Sequence, residues 1–441
     1  MAENNVEENL DAGPVSEPDE VQQGEVQQME GVVTVVLTAD NHLGYAGLSQ
    51  HPRKREECRQ RLRHAFQMAT DFAVNQGVDL FIQAGDLFDT ANPDERDRSF
   101  VAERLAQLRK ASIRTFALGG VHDTPVSAHS TPDRVSPAPQ ISFARLGALH
   151  YFAPQNDRAT AKTTTPMEPV IFDVQGVRVG ICGLAVVSDQ VGDPLAHLRV
   201  QDDIEGTAIS LLVLHAPIEG LGAGSSPLDT RAQVGRASIA KQTKFQHILA
   251  GYHHMHRRLR IGQCNVIVAG ATQHFDFGDL DDNPGFVFLG LATDGIRWCN
   301  HIPVDSLPLR RLVVNTSELW PGGTGRVIEQ LRPLCDPQAL VQLRLEGPLT
   351  LGQYHQLDFN QIRRYGEEHC FALIIDDSAL SLLPEQEGSP TEIGERLSLR
   401  EELEALAEEW IAAAQDEQEK KALQATREEL LAAMDEEKSR R

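Results

Sequence analysis

GVVTVVLTADNHLG, residues 31–44, decides the fold. An apolar run short enough for one strand stops at a polar cluster, Asp40-Asn41-His42, and the pattern then returns along the chain. It recurs in VDLFIQAGDLFD (78–89), IRTFALGGVHD (113–123), ISLLVLHAP (209–217), FQHILAGYHHMH (245–256) and NVIVAGATQH (265–274). Between the first three runs lie two helical stretches. One spans 53–77, and the other spans 92–110, with Asn92 as its cap and Pro93 at its first helical position. Strands alternating with helices predict an α/β fold whose sheets are covered by helices. Turn pairs at Gln175-Gly176 and Asp294-Gly295 predict two hairpins, so part of the sheet structure is antiparallel.

The chain has 441 residues and a 41% apolar fraction, enough for two or three domains around one sizeable core. Its 41 Lys and Arg stand against 64 Asp and Glu, a formal charge of -23. Such a surface cannot coat nucleic acid as a whole, so any polyanion must be met locally. Six cysteines without a C-x-x-C pair argue against a disulfide framework or a thiolate zinc cluster and for a reducing, cytoplasmic location. No apolar run approaches the roughly 20 residues of a spanning helix, and the acidic N-terminus is unlike a secretory signal; neither membrane insertion nor export is expected. Residues 1–30 carry no Lys or Arg and few large apolar side chains, which predicts a disordered acidic tail.

In an α/β fold the loops at the carboxyl ends of the strands are where side chains distant in sequence converge. There stand Asp40 and His42, then Asp86, His122 and Asp123, His215, and finally His254 and His256. Taken singly, a strand-end His is most often a hydrogen-bonded structural residue, and an Asp there a helix cap. Together they form an ordered series: D-x-H, G-D-x-x-D, G-x-H-D, a strand-ending His and H-x-H. Carboxylates and imidazoles without cysteine suit two divalent ions such as Mn²⁺, Fe²⁺ or Zn²⁺. Two such ions sharing one carboxylate can clamp a phosphoryl group, which points to phosphoester hydrolysis.

The blocks ADNHLG, QAGDLFDTANP, GGVHD, LLVLHAP and GYHHMHRR resemble, in order, the motifs of calcineurin-like metallophosphoesterases. GDLFD followed by NP, the HRR after the last histidines, and VIVAGATQHFDFGDLDDNPGFVFLGL are similar to the SbcD-type DNA repair nucleases within that superfamily. The resemblance covers residues 32–303. It implies a four-layer α/β/β/α sandwich with two Mn²⁺ ions and exonuclease and endonuclease activity on DNA. Asp40, His42 and His256 resemble the ligands of one ion, Asp86 the shared carboxylate, and His215 and His254 ligands of the other. His122 resembles the histidine that contacts the scissile phosphate and assists the leaving oxygen, with Asp123 orienting it.

Two departures bear on the second ion. The family pattern G-N-H-D has Val121 in place of the Asn that supplies an oxygen, and the glycine of G-H-x-H is matched by His253 if His254 and His256 are the ligands. His253 is then either a substitute ligand or a buried neighbour.

DNA would be met by two basic stretches: Arg53, Lys54, Arg55, Arg59, Arg61 and Arg63 after the first motif, and Arg257, Arg258 and Arg260 after the last. Solvated faces are the alternative for both. The expected domains are the nuclease sandwich at 31–304, a small α+β capping domain at 305–380, a linker at 381–396 and a helical tail at 397–441. In the tail, Ser398 and Glu401 form a capping box, and Leu399, Leu403, Leu406, Trp410 and Ala413 make a seam that one helix cannot bury alone. The resemblance assigns that seam to an SMC-like ATPase, SbcC, with a helical hairpin packed on its own domain as the alternative and pairing of two copies left open. A phosphatase of another substrate, and a metal-depleted scaffold, remain the other function classes.

Overall fold

A computed structural model of the chain describes residues 29–47, 52–125, 137–152, 167–186, 191–196, 198–221, 232–275, 277 and 283–383. Beyond Leu383 it describes 411, 420, 423, 424, 426 and 427, all helical. The chain divides into two compact units, Met1–Leu383 and Pro384–Arg441. The acidic tail before Met29, the linker from Pro384 onward, and the capping box and seam residues from Ser398 to Ala413 all lie outside the described residues. No described helix is long and apolar enough to cross a membrane.

In chain order the elements are β1 (Val33–Thr38), α1 (Pro52–Gln76), β2 (Leu80–Ala84), α2 (Glu95–Lys110), β3 (Arg114–Leu118), α3 (Gln140–Arg145) and β4 (His150–Phe152). Next come β5 (Val170–Val174), β6 (Val177–Ala185), β7 (Ile209–His215), α4 (Arg236–Lys241), β8 (His247–Gly251), β9 (Arg257–Ile261), β10 (Cys264–Val268), β11 (Gly285–Ala292) and β12 (Gly295–Pro303). The last are β13 (Leu309–Asn315), α5 (Gly323–Leu331), β14 (Leu340–Thr350), α6 (Leu351–Gln356), α7 (Phe359–His369) and β15 (Ala372–Leu383).

Two six-stranded sheets, β12-β11-β1-β2-β3-β4 and β5-β6-β7-β8-β10-β9, stack face to face. Alternate residues of the central strands explain their unbroken apolar runs. Val33, Val35 and Leu37 point between the sheets against Leu211, Val213 and Leu249, while Val36 and Phe81 point outward under Leu62, Phe66 and Ala69 of α1 and Leu105 of α2. The outer face of the second sheet is covered by α4, by a 3₁₀ turn that carries Ile204, and by irregular chain that includes Leu195 and Val234. Among the described residues, the expected fourth layer thus contains one six-residue α-helix and one short 3₁₀ turn, Asp202–Gly206. Both hairpins form: Gln175 and Gly176 have φ of 48° and 84°, the left-handed pair a two-residue turn requires. The second joins β11 to β12 through Thr293-Asp294, one residue earlier than expected, with Gly295 paired to Ala292 as the first residue of β12. Helix α2 starts two residues later than expected, because the Asp94 carboxylate takes the Asp97 amide at 2.9 Å and makes Asp94 the cap.

Residues 309–383 build a third, three-stranded parallel sheet, β13-β14-β15, with its own core under α5 and α7. Strand β15 runs to Leu383, so residues 381–383, expected in the linker, are strand. This sheet is not a separate body. Cys58 of α1 joins Phe277, Leu307, Leu340 and Phe371 in a common cluster, and the Lys54 ammonium donates to the Glu367 and Cys370 carbonyls at 2.6 and 2.8 Å.

Candidate metal centre

The loops that follow β1 and β2 are held rung to rung by backbone bonds. Asp40 N donates to Gly85 O, His42 N to Asp86 O and Leu43 N to Leu87 O, each at 3.0 Å. Asp40, His42 and Asp86 have φ of 47°, 42° and 52°, left-handed conformations that cost a non-glycine residue on the order of 1 kcal/mol or more. Side chains held in that way are aimed by the backbone. Gly85, at φ +97°, has no alternative residue: a Cβ there would lie 2.1 Å from His215 Nδ1.

These loops gather three groups of ligand atoms, each within 4.8 Å of one another: Asp40, Asp86 and His215; Asp40, His42 and His254; and His42, Asp86 and His122. His215 Nδ1 lies 2.8 Å from Ala84 O, a pure acceptor, so Nδ1 carries the ring proton. Its Nε2 lone pair therefore faces Asp86 Oδ2 at 3.2 Å, and His42 Nε2 is 3.9 Å from the same oxygen. Both Nε2 atoms are buried without a hydrogen-bond partner. Acceptors facing one another in a buried site need a positive charge between them. Burial alone would raise the Asp86 carboxyl, but His215, His42 and His122 outweigh it and hold it below the carboxylate range. Burial would likewise lower His215, yet Asp86 and Asp40 push it up to about 10. A divalent ion answers the same demand as that proton, and the donor set fits Mn²⁺, Fe²⁺ or Zn²⁺.

His254, not His256, joins Asp40 and His42. His256 turns its Nδ1 to Val268 O at 2.7 Å and stacks on His301, with 4.7 Å between ring centroids. The backbone explains the shift. A Cβ on Gly251 would lie 2.2 Å from Ala84 O and 3.0 Å from His215 Nδ1, so Gly251 is the glycine this crossing demands. Counting from it, Tyr252 falls at the first histidine of G-H-x-H and His254 at the second. Tyr252, at φ 83°, donates its backbone N–H to the Asp40 carboxylate at 2.9 Å, and its ring stands edge-on to His215. His253 is the buried neighbour: its Nε2 accepts from Ile218 N at 2.9 Å, and burial pushes it down to about 4.

The His122 backbone N–H donates to Asp86 Oδ1 at 2.8 Å, while its ring is exposed at the mouth. Asp123 does not orient that ring. Fully buried, it accepts from Gly120 N at 2.8 Å, from Phe88 N at 3.2 Å and from Gln140 Nε2, bracing the loop from beneath. Burial, then the Asp86 charge, raises the Asp123 carboxyl to about 7. The carboxylate facing the ring is Asp89, 3.7 Å from His122 Nδ1 and 3.4 Å from His42 Nδ1. Asp89 is the second acid of G-D-x-x-D, visible in the sequence without a role. Phe275, in ATQHFDFGD, packs edge-on to His42 at 4.6 Å and was signalled by nothing but that motif.

The basic stretch on α1 is mostly structural. Lys54 is tied to the third sheet, Arg61 to Glu57, Asp305 and Gln338, and Arg63 to Asp97 and Glu56. Arg59 reaches Gly44 O at 3.3 Å, which leaves Arg53 and Arg55 as its exposed cations.

Stacked sheets with a buried carboxylate–imidazole cluster at their strand ends define a metallophosphoesterase. Residues 33–256 match the family model described as calcineurin-like phosphoesterase, and the chain belongs to that family. Among curated relatives it is 34% identical over 353 residues to the DNA double-strand break repair protein Mre11 of Methanosarcina mazei. That alignment covers 76% of this chain and 48% of the relative, so the chain spans about half the length of that protein. The Mre11 protein of Halobacterium salinarum is 35% identical over 71% of this chain and 70% of its own. That of Saccharolobus solfataricus is 29% identical over 65% and 68%.

Proposed function

We propose that the protein is a metal-dependent phosphodiesterase that cuts DNA at or near its ends, in the cytoplasm, in partnership with an SMC-like ATPase bound through residues 397–441. The observation that carries this reading is the Asp86 carboxylate, buried between the unpartnered Nε2 atoms of His42 and His215. The names of the similar repair proteins supply the substrate class. Asp40, His42, Asp86 and His254 would hold one ion, manganese first among the candidates, and Asp86 with His215 would hold part of a second. Bound ions would supply Lewis acidity toward a phosphoryl group. His122, at the mouth and facing Asp89, would hold a proton for the leaving oxygen, and its amide bond to Asp86 keeps ring and carboxylate in register.

One pair of residues favours a second reading. Val121 and Tyr252 stand where the family pattern has ligands of the second ion, which suits a one-ion or non-catalytic scaffold. Degradation of linear duplex DNA with Mn²⁺, with and without the ATPase, separates the two. End-dependent cleavage abolished by Asp86→Asn supports the nuclease; DNA and ATPase binding without cleavage supports the scaffold.

A further inference from the structure

At the far end of the sandwich from the metal loops, the space between edge strands β9 and β12 is not filled by apolar side chains. The pairing shows what fills it. His247, Asn265 and Arg260 are register partners across β8, β10 and β9, and Arg258 is opposite Ile267, so all four face the inter-sheet space. His247 and Asn265 are at the first turn of their strands, whereas the metal loops follow the last residues. Arg297 of β12 closes the gap from the other sheet. The result is a cleft of about 350 Å³, within the range of small-ligand sites.

Its charged groups are three arginines, Arg258, Arg260 and Arg297, and one carboxylate, Asp294. Asn265 Nδ2 lies 3.3 Å from His247 Nδ1, so Nδ1 accepts and the ring proton is on Nε2. That nitrogen belongs to a residue only 1% exposed and has no hydrogen-bond partner. Arg297 is paired with Asp294 at 3.0 Å, and Arg260 reaches Gln263 at 3.4 Å. Arg258 is half-buried and has no ion pair among the described residues. Three guanidiniums against one lining carboxylate, on a chain of net charge -23, is a local reversal of sign. A half-buried guanidinium without a counter-charge is costly, and its planar fork matches phosphate oxygens.

We propose that this cleft is a phosphate-binding site separate from the metal centre, accepting a phosphomonoester or phosphodiester through Arg258, Arg260, Arg297 and His247. The same chemistry could come from a free nucleotide or from the backbone of a nucleic acid strand. Titration of the full-length protein in EDTA with inorganic phosphate, 5′-deoxyadenosine monophosphate and a single-stranded oligodeoxynucleotide tests it. Arg258→Gln, and independently Arg297→Gln on the opposite sheet, should each weaken binding at least tenfold with unchanged thermal unfolding, while His122→Ala leaves it intact. Saturable mononucleotide binding identifies a free ligand. Binding of the oligonucleotide alone, with a salt slope reduced in Arg258→Gln, identifies a strand. Absence of binding by all three probes, or binding lost in His122→Ala and retained in both arginine variants, overturns the site.

Discussion

Val121 and Tyr252 change side chains at positions whose backbone remains that of a ligand-bearing loop. Tyr252 still gives its amide to Asp40, and the chain at 121 still places the His122 amide on Asp86. Restoring ligands therefore needs no refolding of either loop. The double variant Val121→Asn with Tyr252→His is expected to tighten the more weakly held Mn²⁺ at least tenfold, read by titrating bound metal; an unchanged titration means the site was already complete. His122→Ala should lower phosphodiester cleavage by about 10²- to 10⁴-fold at unchanged metal content, since proton transfer is lost and no ligand is. Loss of bound ion in that variant would make His122 a ligand. The residue types that gather at the site, carboxylates and imidazoles, were legible in the sequence because each closes an apolar run. Their register at 251–256 was not, because the one H-x-H in the sequence is His254–Met255–His256, and only the approach of β8 to Ala84 shows that Gly251 is the required glycine and that Tyr252 stands at the first histidine's place.

Single elements differ in how far local sequence controls them. The hairpin at Gln175-Gly176 was readable because its left-handed turn is a property of two residues. The covering of the second sheet was not, since a single 3₁₀ turn bearing Ile204 and irregular chain bearing Leu195 and Val234 have no sustained period. Strand β8 illustrates a further element-scale property, a histidine at its start inside the sandwich. Burial pushes His247 from its ordinary 6.5 down to about 4. The unfolded chain then binds the extra proton first, so stability is full above pH 6.5 and falls as the pH drops toward 4. The loss attributable to this residue approaches ~3 kcal/mol. Melting temperatures measured from pH 7 to 4 should fall steeply in the wild type and less steeply in His247→Gln. Parallel curves would show that the acid sensitivity resides elsewhere.

At the scale of the whole first unit, α1 serves two cores. Its inner face closes the first sheet through Leu62 and Phe66, and its first turns carry Cys58 and Lys54 into the third sheet. Phe371→Ala, at the centre of that junction and 1% exposed, should cost about 3–5 kcal/mol and lower the midpoint of one shared transition in calorimetry. A separate low-temperature transition would mean that residues 309–383 unfold independently. Cooperativity of this kind also shows in the time domain. Loop amides ordinarily exchange with solvent deuterium within seconds to minutes, whereas core strands hold theirs up to the global unfolding free energy. The rungs from Asp40 to Gly85 and from His42 to Asp86 extend the β1–β2 ladder past the ends of both strands. The amides of Asp40, His42 and Leu43 should consequently exchange on the slow clock of the core.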